Sequence, residues 1–198
     1  MTGDTVGKLS THMSRKVRKL KYGPFKKVYS GIIFEIDQRP VRYPDGTRKI
    51  FEYCSRNDSV VIMPFDDRGR LLLIREFRHR HGGNVLFLPA GRRDKKHESP
   101  LKAAHRELRE ETGFDAKIWK HFHTKFPTEN LLWTAHVFLA KNLFPALLVG
   151  DEDFPIKLVP TSIKKAAQLA LDGKIENEFL AYNIIRLEYL MRRGRLGW

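Results

Sequence analysis

Cysteine is almost missing from this chain: Cys54 is the only one in 198 residues. That excludes an intrachain disulfide and any zinc site built on thiolates, and fits a reducing compartment. Acidic residues are also scarce, 23 against 37 lysines and arginines, so the formal charge is +14. Such a balance suits anionic partners, either nucleotides steered toward a site or a nucleic acid backbone. Long hydrophobic runs are absent too. No stretch approaches membrane-spanning length, and the N-terminus carries basic residues but no apolar signal-like core. These features lead us to expect a cytoplasmic protein with no membrane partner. Internal repeats and low-complexity tracts are missing as well.

What is present is a globular composition, 41% hydrophobic and 11% aromatic, in a length that fits one moderate domain or a compact domain with an appendage. Much of the positive charge lies early, in Arg15, Lys16, Arg18, Lys19 and Lys21, followed by Lys26 and Lys27. The expected organisation is a basic N-terminal arm over 1–23, a small N-terminal sheet domain over 24–57 and a main domain over 58–198. β-branched and aromatic residues predict strands over 27–38 and 49–54, joined by the turn Pro44-Asp45-Gly46. Further strands are expected over 60–64, 71–77, 85–89, 117–124 and 131–141. Ser162 and Asn177 are caps for two C-terminal helices that run to about Gly173 and Gly194.

The stretch from Gly91 to Phe114 stands apart. Ser99 suits an N-cap, Pro100 the first helical position and Gly113 the residue past the end, so a helix is expected over 100–112. Leu101, Ala104 and Leu108 make one apolar stripe, with Glu107 and Glu111 stacked along its edge. Two like charges about 4 Å apart repel by roughly 4 kcal/mol at an effective dielectric near 20. Arg106 offsets part of this by pairing with Glu110, but is expected to point away from the Glu107–Glu111 seam. A hard divalent cation, Mg²⁺ or Mn²⁺, suits clustered carboxylate oxygens. The plain alternative is a solvated charged helix face.

The run Arg106-Glu107-Leu108-Arg109-Glu110-Glu111-Thr112-Gly113-Phe114, with Glu98 and Gly91 upstream, resembles the signature box of the Nudix hydrolases. It departs from that pattern in one place: six residues separate Gly91 from Glu98, where the family has five. The resemblance implies an α/β fold, the Nudix α/β/α sandwich with a mixed sheet, here with the small N-terminal β-sheet domain. Beyond the box, Leu88-Pro89-Ala90-Gly91, Phe138-Leu139-Ala140 and Asp172-Gly173-Lys174-Ile175-Glu176-Asn177 are similar to the ADP-ribose and ADP-sugar pyrophosphatase branch. The resemblance implies metal contacts from the Ala90 carbonyl, Glu107, Glu111 and, next in line, Glu110. It implies catalytic roles among Glu110, Arg106 and Glu152, the last as metal contact or base.

Substrate contacts implied in the same way are Arg78 and Glu76, in the place of a Gln-x-Arg motif, together with Gly91, Glu129 and the base-stacking candidates Tyr29 and Phe51. The activity implied is Mg²⁺-dependent hydrolysis of a nucleoside diphosphate sugar, foremost ADP-ribose to AMP and ribose 5-phosphate, by a homodimer. Other readings are a different substrate, such as GDP-mannose, a UDP-sugar or an RNA 5′ end, or a Nudix-fold protein that binds without turnover. The alternating pairs His79/His81 and His121/His123 are also compatible with zinc, although strand histidines are usually packing or surface residues.

Overall fold

A computed structural model of the chain describes residues 19–95, 97–126, 128–150 and 154–196. The expected basic arm lies outside the described residues up to position 18. The chain divides into two compact units, Met1–Arg56 with Thr128–Trp133, and Asn57–Pro127 with Thr134–Trp198.

The first unit is an antiparallel sheet of β1 (Lys21–Tyr22), β2 (Lys26–Ser30), β3 (Glu35–Arg42) and β4 (Arg48–Ser55), with β4 on one side of β3 and β1 and β2 pairing with it as well. The single strand expected over 27–38 is in fact two. The chain reverses at Gly31, whose N–H donates to the Phe34 carbonyl at 2.8 Å, and β2 folds back on β3. Apolar residues continue through the reversal, with Ile32 fully exposed at its tip, so hydrophobic patterning alone reads straight across it. The next turn follows expectation: Gly46 takes φ +88° and Asp45 Oδ1 accepts from the Thr47 N–H at 2.9 Å. Thr128–Trp133 joins this unit through the Leu132 N–H, which donates to the Cys54 carbonyl at 2.8 Å.

The second unit is α/β. One sheet has the order β8-β5-β10-β9, formed by β5 (Ser59–Pro64), β8 (Ala90–Arg92), β9 (Phe114–Lys125) and β10 (Ala135–Pro145). It is mixed: β10 runs parallel to β5 and antiparallel to β9. A second, antiparallel sheet orders β11 (Lys157–Thr161), β6 (Leu71–Arg78) and β7 (Gly83–Phe87). The last strand expected from sequence is 131–141, so β11 is an element that the sequence pattern does not announce.

Alternation along β5 and β10 sorts their side chains onto two faces. Val60, Ile62, Phe138 and Ala140 pack with Ala103, Ala104 and Leu108 of α1 (Pro100–Thr112). Val61, Met63, Val137 and Leu139 pack with α2 (Ile163–Leu171) and α3 (Glu178–Arg192). The sheet is therefore covered by helix on both faces, as an α/β/α sandwich requires. All three helices carry the caps expected from sequence: the side chains of Ser99, Ser162 and Asn177 accept from the backbone N–H groups of Lys102, Lys165 and Leu180.

The histidine pairs do not make zinc sites. His79–His81 form a 3-10 turn instead of continuing β6, and His81 Nδ1 lies 2.7 Å from Glu176. A bulge in β9 sends its two histidines apart. His121 bonds Thr124 Oγ1 at 2.8 Å, whereas His123 Nε2 meets Asn183 Oδ1 on α3. Among the described residues no three His, Cys, Asp or Glu side chains are grouped to hold a metal by themselves.

Burial holds His123 and His136 below their ordinary pKa of 6.5, with Asn183 and Asp58 respectively opposing the shift. Because the folded state prefers neutral rings, the unfolded chain binds more protons as pH falls past the unfolded value. Their contribution is fully present above about pH 6.5 and is lost below it. Their share is read as a difference: His123→Gln/His136→Gln should lose less Tm than wild type between pH 7 and pH 5 in parallel thermal melts.

Candidate active site

The Glu-rich helix α1 is placed by short-range signals. Ser99 closes its start, Gly113 at φ +75° closes its end with its N–H on the Arg109 carbonyl at 3.0 Å, and Ala103, Ala104 and Leu108 seat it on the sheet. This seating carries Glu107 and Glu111 into the protein, where they are 6% and 7% exposed. Two buried carboxylates one helical turn apart need compensation.

Part of it comes from strand β8. The Ala90 N–H donates to Glu111 Oε2 at 2.8 Å. Beside it, Gly91 approaches Glu107 so closely that a Cβ there would lie 2.0 Å from the carboxyl carbon. A side chain at position 91 would displace the Glu107 head group, which fills the space that glycine leaves open.

The larger part comes from Arg106, and here the structure corrects the expectation that it points away from the seam. Its Nη1 donates to Glu107 Oε1 at 2.6 Å and to Glu110 Oε2 at 2.8 Å. Its Nε and Nη2 form a fork on Glu98, at 3.0 and 3.1 Å, and Nη2 also donates to the Arg92 carbonyl at 2.8 Å. Only 12% of the side chain is exposed. A guanidinium reaches all of these acceptors because its donors are spread around a rigid plane. Arg106 thus ties the loop after β8 to the helix, and the extra residue between Gly91 and Glu98 is accommodated without moving Glu98 off the cluster. His97 takes φ +61° in that loop.

Even so, burial pushes the Glu107 carboxyl up to about 7 against the pull of Arg106. Glu107 Oε2 accepts no hydrogen bond among the described residues. An all-oxygen set of two buried carboxylates on one helix edge, short of positive charge and next to the backbone of Ala90 and Gly91, fits a hard divalent cation that completes its shell with water and phosphate oxygens.

A residue the sequence reading passed over supports this arrangement from behind. Asp58 Oδ1 accepts from the Thr134 N–H at 2.8 Å, its Oδ2 lies 3.2 Å from Arg93, and its carbonyl accepts from the Arg93 N–H at 2.8 Å. It fastens the start of the loop that Arg106 grips to the residue leading into β10. Nothing local in the sequence marks that role, because its partners lie far along the chain.

The remaining candidates sort as follows. On β6, Glu76 is 6% exposed and pairs with Arg78, whose guanidinium also covers the Phe87 ring at 4.5 Å. Arg78 Nε is buried without a hydrogen-bond partner among the described residues, a donor left for a polar ligand. Tyr29, Phe51 and Glu129 belong to the first unit. There Tyr29 sits opposite Ile36, Phe51 opposite Arg39, and Glu129 lies in the Thr128–Trp133 segment. Glu152 lies outside the described residues.

Comparison with known proteins bears on these features directly. The NUDIX domain pattern matches residues 55–159. An ADP-ribose pyrophosphatase of Mycobacterium tuberculosis is 36% identical over 96 residues, 47% of this chain and 45% of that protein, so the matched region spans less than half of that relative. An ADP-ribose pyrophosphatase of Bacillus subtilis is 25% identical over 166 residues, 82% of this chain and 89% of that one. A crystal structure of an ADP compounds hydrolase superposes with a TM-score of 0.75 at 26% identity, covering 90% of this chain and 97% of that one. With its box helix, its glycine-backed carboxylates and its mixed sheet between helices, the chain belongs to the Nudix hydrolase family, in the branch that includes the ADP-ribose pyrophosphatases.

Proposed function

We propose that this protein hydrolyses the pyrophosphate bond of ADP-ribose in the presence of Mg²⁺, giving AMP and ribose 5-phosphate. The observation that carries this reading is the pair of buried carboxylates, Glu107 and Glu111, set against the β8 backbone at Ala90 and Gly91 in a chain similar to ADP-ribose pyrophosphatases. The metal, when bound, supplies charge neutralisation of the diphosphate and a more acidic attacking water.

Glu107, Glu111 and the Ala90 carbonyl form its protein ligand set, with Glu110 adjacent. A carboxylate, Glu152 or Glu110, takes the proton of the water as the new P–O bond forms and the bridging P–O bond breaks. Glu110 Oε2 accepts from Arg106 Nη1 at 2.8 Å, so Oε1 is the oxygen of Glu110 suited to take that proton. Arg106 keeps the carboxylates oriented, and the unpartnered Nε of Arg78 is suited to a phosphate or sugar oxygen. Tyr29 and Phe51 are the candidates to stack on the base, and Glu129 to line the sugar side. A second copy of the chain is the expected protein partner, supported by the exposed apolar reversal at Tyr29, Ile32 and Ile33.

The charge of +14 supports a second substrate class, an RNA 5′ end. Offering ADP-ribose, GDP-mannose, UDP-glucose, a dinucleoside polyphosphate and capped RNA with Mg²⁺, and identifying the products, separates these readings. AMP and ribose 5-phosphate released fastest from ADP-ribose is the expected result. Preferred turnover of another compound would redirect the assignment, and no turnover of any would favour a binding protein.

A further inference from the structure

The register of the N-terminal sheet brings three cations into one row. Lys21 lies directly opposite Arg42, and Arg42 directly opposite Arg48. Directly opposed residues project from the same face with their Cβ atoms about 5 Å apart. All three side chains are exposed, and none has an acidic partner among the described residues. Like charges in this position destabilise a sheet.

Elsewhere the same sheet avoids the problem. Lys27 meets Glu35 at 2.6 Å and Gln38 meets Glu52 at 3.0 Å. The nearby acid, Asp45, is occupied within its own turn by Thr47. On the opposite face of the same end, Lys49 lies 5.4 Å from the Tyr43 ring, and Tyr22 is 51% exposed beside Arg39. The basic residues Arg15, Lys16, Arg18 and Lys19 lead in sequence into this end.

We infer that the cation row Lys21–Arg42–Arg48 at the hairpin end of the N-terminal sheet binds the phosphate backbone of single-stranded RNA. A straight row of unpaired cations follows a run of phosphates. Arginine makes two-pronged contacts with phosphate oxygens, which suits two of the three positions. This binding is separate from the hydrolytic site and does not depend on which substrate that site turns over.

The test is fluorescence anisotropy of the full chain with an end-labelled single-stranded RNA of about 20 nucleotides, over a salt series. Lys21→Ala/Arg42→Ala/Arg48→Ala is expected to weaken binding about tenfold or more. It should also lower the slope of log affinity against log salt by about 2, because three phosphate contacts are lost at about 0.7 each. Lys164→Ala/Lys165→Ala/Lys174→Ala, around α2, should bind like wild type, and both variants should hydrolyse ADP-ribose at the wild-type rate. Arg42→Lys/Arg48→Lys keeps the charge and should retain most of the affinity, which guards against misreading a folding defect. The inference fails if the first variant binds RNA normally, or if both triple variants weaken alike. It fails too if only Arg15→Ala/Lys16→Ala/Arg18→Ala loses binding, or if the row proves to bind phosphatidylserine vesicles in preference to RNA.

Discussion

Glu111→Gln should lower kcat/KM for ADP-ribose by about 10³-fold or more while changing Tm by only a few degrees. The substitution is nearly isosteric, and its amide oxygen can still accept the Ala90 N–H that now reaches Glu111 Oε2 at 2.8 Å. Packing and the link between α1 and β8 are therefore kept. What is lost is the negative charge at a position 7% exposed. In a site screened from water that charge is worth several kcal/mol to a bound divalent ion and the diphosphate it neutralises, and each 1.36 kcal/mol is about a decade in rate. The measurement is kcat/KM across a Mg²⁺ titration, with a thermal melt alongside. Wild-type rates in the variant would remove Glu111 from the site.

Arg106→Met should be the most damaging substitution for stability in the second unit, with a loss of about 3–5 kcal/mol. Methionine retains the stem volume but not the guanidinium, so Glu98, Glu107 and Glu110 lose a common partner at once. Glu107 already titrates near 7 with Arg106 beside it. Without that charge it goes higher still, since burial is the leading cause of the shift. Arg106→Lys should fall between the two, because an ammonium cannot grip Glu98 with two donors and reach the Arg92 carbonyl as well. Urea unfolding of the three proteins checks the order; a Met variant as stable as wild type would mean that the carboxylates find other partners.

These two residues also show what could be read from the chain alone. The helix, its ends and the seating of Glu107 and Glu111 are legible because each rests on residues a few positions apart: the Ser99 cap, the Gly113 stop, and the spacing of Ala104 and Leu108, although Leu101, expected in the same stripe, is 39% exposed and Ala103 is buried instead. The same is true of the caps Ser162 and Asn177. Arg106 was misread because helix geometry fixes where a side chain starts, and a long flexible one goes wherever tertiary acceptors lie. Glu98 and the Arg92 carbonyl come to it only when the loop closes.

Asp58 was invisible for the stronger reason that its partner Thr134 is 76 positions away. The split between β2 and β3 was missed because β-forming residues run unbroken through a reversal that depends on Gly31. β11 was missed because its pairing with β6 is long-range and its residues carry weak alternation.

The side-by-side alignment of β5 with β10 has a consequence for biosynthesis. Ser59 pairs with Ala135 and Val60 with His136, so the strand that supports the acidic helix waits for a neighbour made much later. A ribosome adds roughly 5–20 residues each second, so the gap lasts several seconds. During that interval the nascent chain carries β5 with one edge open and the acidic helix without Phe138 and Ala140, which pack against it from β10. Release of the later segment, rather than formation of the helix, then sets the moment at which this protein first becomes an enzyme.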